Sequence, residues 1–190
     1  MHIQSMPDWT HTLWRIKGTL LIQVVIISIG FWTKDMSAAE HAEWLQRLGF
    51  DYQTLLDDSF WHLLTGTWIQ SSPGIELSMI VLVFASTVSL ELLSDTSLML
   101  LTCITGDWVA TLLTALTTQV LVSVGDANPA LLTTSDAGSS AMAHAAFGAA
   151  VMLLPRRWVP AALVILIVLT VTQLLYIDLA AAIGALEAAI

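Results

Sequence analysis

Hydrophobic residues fall into long apolar runs set apart by short polar or Pro/Gly-marked breaks. Gly18 to Trp32 is interrupted only by Thr19, Gln23 and Ser28; Ile75 to Leu93 and Thr96 to Val124 follow, the latter with Gly106-Asp107 inside it. Asp136 to Leu154 is stopped by Pro155-Arg156-Arg157, Trp158 to Leu175 is rich in Val, Ile and Leu, and Ile177 to Ile190 closes the chain. A spanning helix takes ~20 apolar residues. The first run reaches that length when extended back to Trp14, and the last is shorter. Between the first two runs, Lys34 to Ser59 is mixed and acidic, with Asp35, Glu40, Glu43, Asp51, Asp57 and Asp58. Within it Ala42, Leu45 and Leu48 recur at helical spacing, which predicts a short surface helix over Ala38 to Leu48. Trp44, Phe60, Trp61 and Trp68 suit the depth of lipid headgroups. Pro73-Gly74, Ser94-Asp95 and the Gly125 to Ser135 loop mark the remaining breaks.

Composition turns this pattern into a class. The chain is 56% hydrophobic and 11% charged, less than half the charged share of an ordinary soluble domain, about 25%. The expectation is an all-α polytopic membrane protein with six transmembrane helices, its lipid bilayer the first partner. Residues 1–17, with Trp9, Trp14, Arg15 and Lys17, read as a cytoplasmic N-terminal segment, and 18–190 as one transmembrane domain. Gly30-Phe31-Trp32-Thr33-Lys34 offers an aromatic belt where a signal peptide would show a small-residue cleavage site, so the first run reads as retained. With the N-terminus inside the cell membrane, Arg15, Lys17, Arg156 and Arg157 are cytoplasmic and only Lys34 and Arg47 lie outside, as the positive-inside rule requires. A net charge of −9 disfavours nucleic acid. The single Cys103 allows no disulfide framework and reads as a packing residue. His2, His11, His41, His62 and His144 never recur at His-x-x-x-His spacing, so neither metal nor cofactor is expected.

The candidate chemistry gathers at Thr134 to Gly148, where a polar loop runs into an apolar helix. Polar groups within a membrane are costly and mark functional positions. Ser140 sits near a helix N-terminus, where unpaired backbone N–H groups could hold an oxyanion. His144 lies one turn on, on the same face. Ser135 and Asp136 read first as N-caps and second as substrate contacts. Asp107, about eleven residues into its run, must be protonated, paired with His144, a Thr or backbone groups, or face a wet cavity. Stripes of small residues, Ala141, Ala145, Ala149 and Ser140, His144, Gly148, let helices approach closely.

Gly138-Ser139-Ser140-Ala141, opening a small-residue helix, resembles the Gly-x-Ser-Gly start of the serine-bearing fourth helix of the rhomboid superfamily. Trp61-His62-Leu63-Leu64-Thr65-Gly66 resembles the signature before the second rhomboid helix, and Glu91 stands near that helix's end like the family's glutamate. Gly106-Asp107-Trp108-Val109-Ala110-Thr111-Leu112-Leu113-Thr114 is similar to a segment of a divergent bacterial rhomboid-like branch. The likeness spans roughly residues 50 to 190. It implies a six-helix bundle, a long first loop partly in the interface, Glu91 capping a loop at the cytoplasmic side, and a cleft near Ser140 that engages transmembrane segments of client proteins. Rhomboid proteases take their base from a sixth-helix Ala-His-x-x-Gly; here Leu179-Ala180-Ala181-Ala182-Ile183-Gly184 puts Ala181 in the histidine's place. The second-helix His and Asn that support the oxyanion are missing too, Glu76 and Ile80 being the nearest counterparts. The expectation is therefore a non-catalytic relative that binds clients. The alternatives are an intramembrane serine protease with Ser140 as nucleophile and His144 as base, and a small transporter or channel subunit relaying protons or ions through Asp107. The sequence assigns neither a client nor an oligomeric state.

Overall fold

The computed structural model describes residues 13–57, 59–133, 138–168 and 171. Among them the chain is all-α, with no strand. Helix α1 is Lys17–Thr33, α2 Ala38–Leu48, α3 Tyr52–Leu56, α4 Trp61–Gly66, α5 Leu77–Leu93, α6 Thr96–Val124, α7 Ser140–Leu153 and α8 Val159–Val168, with a 3-10 turn at Pro129–Thr133 between α6 and α7. The expected first, second, third and fourth runs thus appear as α1, α5, α6 and α7, and the surface helix as α2. One helix, α6, is long and apolar enough by itself to cross a membrane; α1, α5, α7 and α8 are shorter apolar helices. The run Ile177 to Ile190, and Ala181 within it, lie outside the described residues.

Local chemistry sets the boundaries. Asp95 caps α6 by accepting from the N–H groups of Ser97 and Leu98, which satisfies two of the four orphan donors at a helix start. Ser37 and Glu40 form a capping box on α2, and Asp51 with Thr54 does the same for α3. The Ser37 contacts also hold the Glu40 carboxyl below its ordinary pKa. Helix α7 ends because Pro155 disfavours helical backbone in the residue before it; Leu154 is extended.

Helix α7 is the hub, packed between α5 and α6, while α1 lies against α5. Its Met142, Ala143, Ala146 and Ala150 are buried with Val83 and Leu90 of α5, Met99 and Cys103 of α6, and Ile22 and Ile26 of α1. Cys103 is thereby the packing residue its apolar run suggested. Three alanines on one face allow backbones to approach closely, and such packing is one source of helix association in lipid. Gly106 of α6 shows this most sharply, since a Cβ there would overlap the Ala145 side chain of α7.

Helix α6 serves two cores. Its first half, through Cys103, packs in the bundle. Its second half, with Trp108, Leu112 and Ala115, meets Phe50, Tyr52 and Leu63 of the first loop. At about 1.5 Å per residue, its 29 residues outreach α7, and the excess carries the loop helices. Asp107 falls at the seam between the two cores.

Candidate functional site

Two polar centres lie at opposite ends of α5 to α7. Glu91, at the end of α5, is 2% exposed. Its Oε1 accepts from the N–H of Gly18 at 2.9 Å and from the hydroxyl of Thr96 at 2.7 Å. Its Oε2 accepts from the N–H and the hydroxyl of Thr19 at 2.8 and 2.7 Å. Helix α1 has no side-chain cap of its own; Glu91 supplies it from another helix. Arg15 adds a bond to the carbonyl of Leu92. The expectation that Glu91 caps a loop is refined: it caps the N-terminus of α1 and ties α1, α5 and α6 together.

At the other end, the first loop delivers side chains to the start of α7. The C-terminal carbonyls of α2 are taken by α4: His62 Nδ1 lies 2.7 Å from the carbonyl oxygen of Gly49, and the Thr65 hydroxyl donates to Leu48 at 2.6 Å. One turn on, the hydroxyl of Thr67 donates to the buried carboxyl of Asp107. Gln70 then donates from Nε2 to the Ser139 hydroxyl at 3.2 Å, and the N–H of Gly138 bonds the carbonyl of Gly66 at 3.0 Å. Gly138 adopts φ +122°, a conformation open to glycine and rare for other residues, so its place before the serines has a backbone reason. Asp136 and Ser135 lie outside the described residues. Ser139, the residue preceding α7, makes no side-chain cap; its hydroxyl faces Gln70 instead.

Ser140 opens onto two spaces. A small cavity of about 30 Å³ is lined by Phe50, His62, Thr67, Asp107, Gly138 and Ser140, among others. That is the room of about one water molecule. On the outer side, a half-open cleft of about 380 Å³ runs between α6 and α7, lined by Gly106, Ala110, Thr111, Thr114, Ser140, Ala141, His144 and Ala145. Ser140, Ala141 and Thr111 border both.

His144 lies beside Ser140, as the helical spacing requires, but its Nδ1 is 2.7 Å from the backbone carbonyl of Ser140. A carbonyl only accepts, so Nδ1 carries the proton, and Nε2 is buried with no partner among the described residues. The imidazole therefore bonds the serine's main chain rather than its hydroxyl. Asp107 meets Thr67 and a cavity, two of the possibilities its sequence allowed, and the threonine comes from the first loop rather than a neighbouring helix. No cluster of metal-binding side chains occurs among the described residues.

Sequence reasoning missed three members of the site: His62, which it treated as part of a motif, and Gln70 and Thr67, which it passed over. The signal available was their position in a polar stretch, His62 to Ser72, just ahead of an apolar run. Comparison with protein-family models, with curated proteins and with solved structures returns no match.

Proposed function

We propose that this chain is a multi-pass integral membrane protein of rhomboid-like, six-span topology, its N-terminus cytoplasmic, that holds transmembrane segments of client proteins beside Ser140 without cutting them. The observation that carries the reading is the half-open cleft between α6 and α7. Its small residues admit a helix closely, and Ser140, Thr111, Thr114 and His144 give it hydrogen-bonding groups on an otherwise apolar face. Leu101, Val109, Leu113, Leu116, Val120 and Val124 of α6 are exposed, a larger apolar surface than a soluble monomer tolerates; lipid is the solvent that suits it. Two features support binding without peptide cleavage: Ala181 stands where rhomboid proteases carry their sixth-helix histidine, and His144 engages the Ser140 carbonyl rather than its hydroxyl.

The test is a photo-crosslinking residue placed at Thr114 in native membranes. Crosslinks to membrane proteins that vanish when Ala141→Trp fills the cleft are expected; a crosslinking pattern unchanged by that substitution overturns the proposal. A second reading, an intramembrane serine protease, is favoured by one observation, that Ser140 borders both spaces. It requires cleavage of a transmembrane substrate that Ser140→Ala abolishes. The transporter reading draws no such support, because Asp107 is tied to Thr67; an Asp107→Asn protein that loses a proton-dependent flux in proteoliposomes would revive it.

A further inference from the structure

We infer that the imidazole governing the Ser140 hydroxyl is His62, acting across the small cavity, and not His144. His62 belongs to α4 in the first loop, 78 positions before Ser140 in the chain, yet both side chains line the same cavity of about 30 Å³. The volume suits one bridging water. The inference goes beyond client binding and concerns the reactivity of the hydroxyl toward a small electrophile, which does not depend on peptide cleavage.

Three features fit His62 to the role. Its Nδ1 lies 2.7 Å from the Gly49 carbonyl oxygen, which fixes the proton on Nδ1 and leaves Nε2 with the lone pair, the tautomer a base needs. The ring is held in place, buried and tilted 41° against that of Trp61 with centroids 3.8 Å apart, so its orientation is set before any substrate arrives. Asp107 borders the same cavity and is positioned to stabilise an imidazolium through the water. His144 has a comparable tautomer, but its Nδ1 anchor is the Ser140 carbonyl on its own helix, and it does not border the inner cavity. Asp107 is a poorer base for the serine because its carboxyl already accepts from Thr67.

With an alkyl fluorophosphonate as probe, the Ser140 Oγ attacks phosphorus. The P–O bond forms, the P–F bond breaks and fluoride departs, while the Ser140 proton passes through the water to His62 Nε2. The experiment is the rate of labelling of the full chain in detergent or liposomes. Wild-type protein is expected to label at Ser140 and Ser140→Ala not at all. His62→Asn retains a donor for Gly49 but no basic nitrogen, and is expected to label about 100-fold more slowly. His144→Asn is expected to slow labelling far less than His62→Asn does. His62→Gly is expected to regain labelling on addition of imidazole, a rescue that a purely structural histidine would not show.

The inference is overturned by wild-type protein that does not label, by His62→Asn that labels at the wild-type rate, or by a slowed His62→Gly that imidazole fails to rescue. It is equally overturned if Asp107→Asn alone abolishes labelling while His62→Asn does not. Loss of client crosslinks at Thr114 with this pattern intact would remove the client reading and leave the present one standing.

Discussion

The two polar centres of the bundle use similar groups to opposite ends. Around Glu91 every carboxylate oxygen accepts two bonds from fixed donors, and the site is filled. Around Ser140 the groups are as polar, yet they border a cavity and a cleft, and His144 Nε2 has no partner among the described residues. A saturated buried network holds a structure rigid; one with spare hydrogen-bonding capacity is arranged for something else to complete it. The difference teaches which carboxyl anchors the fold and which stands beside a site.

The largest break in this comparison is expected from Glu91→Ala. It strands the N–H groups of Gly18 and Thr19 in a buried position, which costs about 3 kcal/mol or more. Thermal unfolding in detergent should show a large drop in Tm, with Glu91→Gln falling in between. Next comes Gly106→Ala, whose methyl must push α6 away from Ala145 of α7, an overpacking worth about 1 to 3 kcal/mol. Adding Ala145→Gly should restore most of the loss, and a double variant no more stable than the single one would show that the close approach is not the cause.

At the Ser140 end the expected losses are smaller. Thr67→Val removes one hydrogen bond from Asp107 and should cost about 1 to 2 kcal/mol. Because the first loop and α7 meet there, the same change should raise hydrogen exchange at Gly138 to Ala141 while leaving the Glu91 end protected. If both ends loosen equally, the two centres are not independent units.

The smallest effect is one of pH. His41, a buried residue of α2 in the first loop, is pushed below its ordinary pKa of 6.5 by loss of solvent, against a bond to the Gln70 backbone that favours the charged ring. A depressed imidazole contributes its stability above the unfolded pKa. That contribution fades as pH falls below 6.5 and through the folded value. Acidification should therefore loosen α2 and the Trp32–Trp44 edge contact, read as a change in tryptophan emission that His41→Gln removes. Gln70 links this histidine to Ser139, so any loosening should appear at the Ser140 end and not at Glu91.

The apolar runs by themselves determined the all-α class, the ends of α2 and α6, and a helix of small residues at α7, but not that its buried face would be Met142, Ala143, Ala146 and Ala150. These follow from local causes: hydrophobic run length, helical spacing, caps such as Asp95, and Pro155 as a stop. The sequence also marked Ser140, His144, Asp107 and Glu91 as polar groups needing a reason. What it left open was which partner each would take, because helix spacing fixes neighbours one turn apart and says nothing of residues many positions away. Only the tertiary structure decided that Glu91 caps α1, that Thr67 meets Asp107 and that His62 reaches the cavity behind Ser140. The last two pairings are set by how α6, continuing past α7, carries the first loop onto the open end of the bundle; the first is set by α1 packing against α5.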